Sequence, residues 1–302
     1  TMKIKYIFLF LTLSLCACDD YLDITPQGQI KGDELLTTKE GIEDALYGTY
    51  AKMRTSSLYG QELSFSTIDV MGGYHSCKGN KTVEALLKYD YNYSAIESTF
   101  SGVWTEMYSN ISAVNNILGC SLLDNPTQYP YTVYRGEALG LRAFMHFDLM
   151  RLYAEQITTN PQADGIPYAT EFSLKTPDFE SLAKNYEHVI ADLLEAERLL
   201  AGEGDHRNET YFMTSRHIHC NLHAVRALLA RVYLTMGNKT EALNYALKVI
   251  EKSHYKDRDC QRPCWCALSE RNHFRYLLCR FLYQCIQQAA GYNKLLRPQP
   301  TQ

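Results

Sequence analysis

A chain of 302 residues that is 46% hydrophobic carries enough apolar material to bury a core, so it reads as globular. Its formal charge of −4 and pI near 6.1 leave no polybasic footprint, which removes nucleic acid from the expected partners. Tyrosine dominates the aromatic surface, with 23 residues against 11 phenylalanines and 2 tryptophans. A tyrosine offers a flat apolar face with a polar tip, which suits half-exposed recognition surfaces as well as core edges; for most of them helix packing is the expectation.

At the N-terminus, Lys3 and Lys5 precede a mostly apolar run, Tyr6 to Leu15. That is the layout of a secretory signal, and the run is too short for the ~20 residues a membrane-spanning helix needs. Residues 1–17 are therefore expected to be a signal peptide. The following Leu15-Cys16-Ala17-Cys18 resembles the lipobox of bacterial lipoproteins. The resemblance implies that Cys18 is acylated and becomes the first mature residue, while Cys16 leaves with the signal. A disulfide between the two is not expected, because so tight a loop strains the bridge geometry. Each buried methylene contributes ~0.8 kcal/mol, so two or three acyl chains would hold the protein on a membrane.

Helical periodicity dominates from Thr37 onward. Thr37-Thr38-Lys39-Glu40 has capping-box spacing, and Ile42, Ala45, Leu46, Thr49, Tyr50 and Met53 recur at three and four residues. A second helix is expected over Ser101 to Leu118, closed by Gly119, with Val103, Trp104, Met107, Tyr108, Ile111 and Val114 on one face. A third, Tyr134 to Ala154, is apolar nearly all round and should be central. A fourth, Phe179 to Leu200, follows Pro177-Asp178. Between the first two helices, Ser56 to Glu97 reads as a long irregular stretch with Gly72-Gly73-Tyr74 and the run Tyr89-Asp90-Tyr91-Asn92-Tyr93. Such stretches inside a domain are usually functional or disordered, and the tyrosines argue against disorder.

The segment HAVRALLARVYLTMGNKTEALNYALKVIE, residues 223–251, reads as two helices joined at Gly237-Asn238 and looks like a tetratricopeptide unit. Leu229, Ala230 and Tyr233 lie on its first helix, Ala242 and Tyr245 on its second. One such unit cannot bury its apolar face alone, so other helix pairs must stack on it. Strand-like alternation is scarce, and the fold class is all-α.

Residues 255–302 change character. They hold five of the ten cysteines and eight Lys and Arg against three Asp and Glu, whereas the preceding residues carry 22 against 31. A shifted reading frame near Ser253 to Cys260 would produce such a break, and that is the expectation for this tail.

Taken in order, CDDYLDITPQGQ, GIEDALYGTYAKM, WTEMYSNISAVNNIL, GEALGLRAFMHFDLMRLYAE, GIPY, NYEHVIADLLEAERLL and ALLARVYLTMGN resemble the SusD/RagB family, the surface nutrient-binding lipoproteins of Bacteroidetes. Each motif alone is weak, since apolar helices look alike; their order and spacing are specific. The resemblance runs from Cys18 to about Lys252. It implies a helical scaffold of tetratricopeptide-like pairs in residues 18–254, held at the outer membrane and facing outward. It also implies binding of an oligosaccharide or other nutrient for delivery to a SusC-like TonB-dependent transporter. Family members are typically much longer than this chain. The alternatives are a lipoprotein that uses its repeat helices only as a protein–protein scaffold, and a truncated product without function.

Glycan recognition needs flat aromatic faces against sugar CH surfaces and polar side chains for the hydroxyls. Residue type and location select Asp69, Tyr74, Tyr91, Asn92 and Tyr93. His219 and His223 in HIHCNLH have spacing for one ion, but are expected to form the polar side of the repeat helix. Cys260, Cys264, Cys266 and His273 match no common zinc spacing. Glu137 and Arg142 are five apart on the buried third helix and are expected to have structural partners. There is no nucleophile elbow, HExxH or phosphate-cradling glycine loop, so the reading is a binding protein and not an enzyme, with no cofactor and no metal.

Overall fold

The structure is a computed structural model that describes residues 35–75, 77–206 and 211–252. The signal segment, Cys18 and the 255–302 tail lie outside the described residues. The helices are α1 (Lys39–Met53), α2 (Thr67–Met71), α3 (Lys81–Leu87), α4 (Ser94–Leu118), α5 (Tyr131–Tyr153), α6 (Leu182–Leu200), α7 (Tyr211–Thr214), α8 (Leu222–Thr235) and α9 (Lys239–Lys252). Two short strands, β1 (Asp164–Pro167) and β2 (Phe179–Ser181), pair antiparallel.

The long helices pack in chain order: α1 on α4, α4 on α5, α5 on α6, α6 on α8 and α8 on α9. This is the stacking that a tetratricopeptide-like array requires. The expected central helix is α5, whose residues from Gly136 to Met150 are all buried. Its glycines set the spacing. A Cβ at Gly136 would stand 2.8 Å from Leu200 Cγ, and one at Gly140 would stand 2.7 Å from Cys220 Sγ and 3.1 Å from Val225 Cγ2. Two bare backbone positions one turn apart thus let α6 and α8 approach α5 closely. Each Leu, Ile, Val, Met or Phe sealed between these helices contributes about 1.5–3 kcal/mol by leaving water.

The repeat unit forms as its pattern implies. Asn221 caps α8 by accepting from the Ala224 amide, and Gly237 takes φ +78 at the turn, a left-handed conformation that glycine adopts without strain. The outer face of α9 carries Leu243, Leu247 and Ile250, each partly exposed at i, i+4 and i+7.

Several element boundaries differ from the sequence reading. The cap of α1 is Thr38, whose hydroxyl accepts from the Gly41 amide, so the hydroxyl-to-third-residue geometry starts one residue later than Thr37 and does not use Glu40. Helix α4 begins at Ser94 instead of Ser101. Phe179 to Ser181 is a strand, and helix α6 starts at Leu182 because Ser181 caps it through the Lys184 amide. The stretch 56–97 contains α2 and α3, so it is not irregular throughout. Asn80 explains α3: its side chain accepts from the amides of both Thr82 and Val83.

Candidate functional site

The segment between α1 and α4 forms a thin layer over a small apolar cluster of its own: Val70, Ala85, Leu86 and Ile96, with Met71, Val83, Tyr93 and Phe100 against it. Two turns project from this layer. The first follows α2, where the Tyr74 amide donates to the Asp69 carbonyl at 2.9 Å and the ring lies against Gly72. The second is the Tyr89–Tyr93 run. Tyr89 holds φ +55, and its hydroxyl donates to the Met71 carbonyl at 2.9 Å, which joins the two turns. The Asn92 amide donates to Asp90 Oδ1 at 3.2 Å, fixing the bend.

The result is a set of tyrosine rings presented to solvent. Tyr74 is 69% exposed, Tyr89 55% and Tyr91 52%. Of the residues selected from sequence, Tyr74, Tyr91 and Asn92 are exposed on these turns. Asp69 is half-buried on α2, and Tyr93 is half-buried against the small cluster as the N-cap of α4. Tyr89 is an addition; it opens the same run, and only its left-handed backbone and long-range hydrogen bond reveal its role as the fastener between turns. Beneath Tyr91, Phe100, Tyr153 and Trp104 continue edge to face, with ring centroids 5.6, 6.0 and 4.9 Å apart in succession.

A groove of about 910 Å³ opens at the other end of α4. Asn116, Gly119, Arg135, Glu171 and Phe172 are among its walls, together with Leu36 and Thr37. These residues come from separate segments of the chain, so no local sequence pattern marks them.

The remaining charged candidates are buried partners. Glu137 is 0% exposed; its Oε1 accepts from the Tyr50 hydroxyl at 2.6 Å and from His219 Nδ1 at 2.8 Å, and its Oε2 pairs with Arg216 Nη1. Arg216 also contacts Glu203, whose second oxygen accepts from the Leu222 amide at 2.6 Å. Burial alone would raise the Glu137 pKa, but the charges of Arg216 and His219 and the bonds from His219 and Tyr50 outweigh it and hold the carboxyl at about 2. Burial raises the Tyr50 hydroxyl and the Cys220 thiol well above their ordinary values.

His219 is therefore not on the polar side of the repeat helix. It sits ahead of α8, nearly sealed, with Tyr50 and Phe212 edge-on to its ring. His223 lies on α8, so the two do not share a helical face. Among the described residues, no group of three His, Cys, Asp or Glu converges as a metal site. Cys260, Cys264, Cys266 and His273 lie outside the described residues.

Arg142 makes a separate fork: Nε and Nη2 donate to Asp192 at 2.8 and 2.7 Å, and Nη1 donates to Asn115 Oδ1 and the Thr170 carbonyl. Tyr168 donates to the same aspartate at 2.8 Å and stacks on His146 at 3.9 Å. Glu137 and Arg142 thus have structural partners on different faces of α5.

Comparison with known proteins agrees with this architecture. Residues 20–234 match the SusD-like family described as "Starch-binding associating with outer membrane". SusD-like protein P2 of Formosa agariphila is 27% identical over 255 residues, covering 82% of this chain and 46% of that protein. SusD-like protein P38 of the same organism is 24% identical over 286 residues, covering 91% and 50%. The chain thus spans about half the length of these relatives. Among solved structures, a SusD superfamily protein from Bacteroides thetaiotaomicron superposes with a TM-score of 0.58 at 24% identity, covering 72% of this chain and 46% of that one. A SusD-like carbohydrate binding protein from Bacteroides vulgatus gives 0.56 at 24% identity, covering 72% and 45%. With a family match over most of its length and a shared helical fold, the chain belongs to the SusD-like family.

Proposed function

We propose that this chain forms the helical scaffold of a cell-surface lipoprotein, not an enzyme, that binds glycan through the turns carrying Tyr74, Tyr89 and Tyr91. The observation that supports this reading is the set of exposed tyrosines fastened to one another through the Tyr89–Met71 hydrogen bond. Rings left in water offer flat CH-binding faces, while Asn92 and the tyrosine hydroxyls supply donors and acceptors for sugar hydroxyls. The bound glycan is passed to a SusC-like TonB-dependent transporter, and the protein is held at the outer membrane by lipid on Cys18.

Affinity gel electrophoresis over a panel of polysaccharides tests the binding. Retention by the parent and its loss in Tyr74→Ala or Tyr91→Ala supports the reading; retention unchanged in both variants overturns it. Growth with labelled palmitate should mark the parent and miss Cys18→Ala, and label that survives the change would overturn the anchor. A second reading, a scaffold that binds only protein, is favoured by the exposed Leu243, Leu247 and Ile250 on α9. Co-purification of the transporter with no polysaccharide retention selects it.

A further inference from the structure

Helix α9 is the last described element of the array, and its two faces differ. Ala242, Tyr245, Ala246 and Val249 are buried, and α8 is the helix it packs against most. On the other side Leu243, Leu247 and Ile250 are 42, 41 and 42% exposed. Apolar residues at i, i+4 and i+7 form a stripe along one side of a helix. Among the described residues no other helix exposes three large aliphatic side chains in register; Leu194 on α6 and Leu87 on α3 stand alone. A helix that ends a stacked array needs a polar outer face, so α9 has the pattern of an inner member with a neighbour still to come.

The chain that follows Lys252 carries a matching surface. Read as sequence, residues 270–290 come after Ser269, a capping residue, contain no proline or glycine, and stop before Gly291. Phe274, Leu277, Leu278, Phe281, Leu282 and Ile286 recur at three and four residues, which predicts an amphipathic helix with one broad apolar side. The connection over 253–269 can reach ~55 Å at ~3.3 Å per residue, whereas the 14 residues of α9 rise only ~21 Å. The segment can therefore return antiparallel along α9. Charge favours the same meeting: residues 255–302 carry eight Lys and Arg against three Asp and Glu, and the preceding residues 22 against 31.

We propose that residues 270–290 pack as a helix on the outer face of α9, laying the apolar side from Phe274 to Ile286 over Leu243, Leu247 and Ile250, and so close the end of the array. Attachment to the same chain makes this contact an intramolecular event, which favours the tail over a diffusing partner. The fit depends on the residues present and not on the reading frame that encodes them. It is independent of glycan binding, and it withdraws the α9 face from the surfaces open to another protein.

Amide hydrogen exchange on the full chain tests this packing. In the parent, the amides of residues 274–289 should be protected, and Leu247→Asp should remove that protection while the α5 amides keep theirs. Phe281→Asp, which alters none of the described residues, should remove it from the other side and speed exchange in α9. Where Leu247→Asp exposes α5 as well, the Phe281→Asp result decides. Unprotected 274–289 amides in the parent overturn the proposal, and so does protection that survives both substitutions, which seats the segment elsewhere. Sedimentation identifies the rival occupant: a dimer that Leu247→Asp dissolves, with the tail amides unprotected throughout, gives the face to a second copy of the chain and overturns the proposal.

Discussion

Glu137 and Tyr74 mark two regions of the molecule held together by opposite means. Around Glu137, a buried carboxylate draws in Tyr50 from α1, Arg216 and His219 from the chain ahead of α8, and through Arg216 the carboxylate of Glu203. Around Tyr74, four small-to-medium apolar side chains make the core, and the fasteners are backbone turns and one tyrosine hydroxyl. The first region penalises any helix order that separates Glu137 from Arg216 and His219, because a buried charge left without its partners is costly. The second can vary its exposed residues with little consequence for folding, which is the property a ligand surface needs.

The largest effect should come from Glu137→Ala, which leaves Arg216 and His219 buried without their carboxylate. A loss of about 3–5 kcal/mol is expected, measured as a fall in denaturant midpoint. A loss below about 1 kcal/mol, the scale of an exposed pair, would mean that the hub does not hold the stack. Next comes Gly140→Val, whose Cβ would stand 2.7 Å from Cys220 Sγ; overpacking there should remove about 1–3 kcal/mol. Adding Cys220→Ala should restore part of that, and a double-mutant cycle with no coupling would deny the contact.

Acid should weaken the scaffold in two stages. Burial holds the His146 imidazole neutral, at about 3 instead of 6.5; its Nδ1–H donates to the Arg142 carbonyl and its Nε2 accepts from the Ala169 amide. Below 6.5 the unfolded chain takes up a proton that the folded chain refuses, so stability falls as pH drops toward 3. Glu137 adds the same sign between its ordinary 4.5 and about 2. Urea midpoints should show this decline, and His146→Gln should remove its upper stage. The smallest effect on stability belongs to Tyr74→Ala and Tyr91→Ala, expected within about 0.5 kcal/mol of the parent while glycan retention is lost. A larger loss of stability would make these tyrosines part of the core and dissolve the contrast.

The apolar stripes of α1, the later part of α4, α5 and the α8–α9 pair were legible because each exceeds two turns and repeats at three and four residues. The first turns of α4, Ser94-Ala95-Ile96-Glu97-Ser98-Thr99, bury Ile96 against the small cluster and carry too few apolar residues for a stripe. Helix α3 is shorter than the window in which periodicity shows, although Asn80 before it was a readable cap. The β1–β2 pair spans few residues and is braced by Asn185 on the first turn of α6, whose Oδ1 accepts from the Ile166 amide at 2.6 Å. The partners of Glu137 lie 79, 82 and 87 residues away, separations that no local pattern encodes. Residue type selected Tyr74 and Tyr91, which the structure leaves exposed on the two turns, whereas the fastening role of Tyr89 needed its backbone.

The file of rings running inward from Tyr91 gives the scaffold an optical property. Trp104, edge-on to Tyr153 at 4.9 Å and tilted against Tyr108 at 4.8 Å, sits at the inner end of that file. The other tryptophan is Trp265, so a Trp265→Phe chain would emit from one indole alone. Under the proposed function, a sugar settling on Tyr91 would press on Phe100 and, through Tyr153, on the surroundings of that indole, so that a change in emission on adding glycan would test the site without any attached dye.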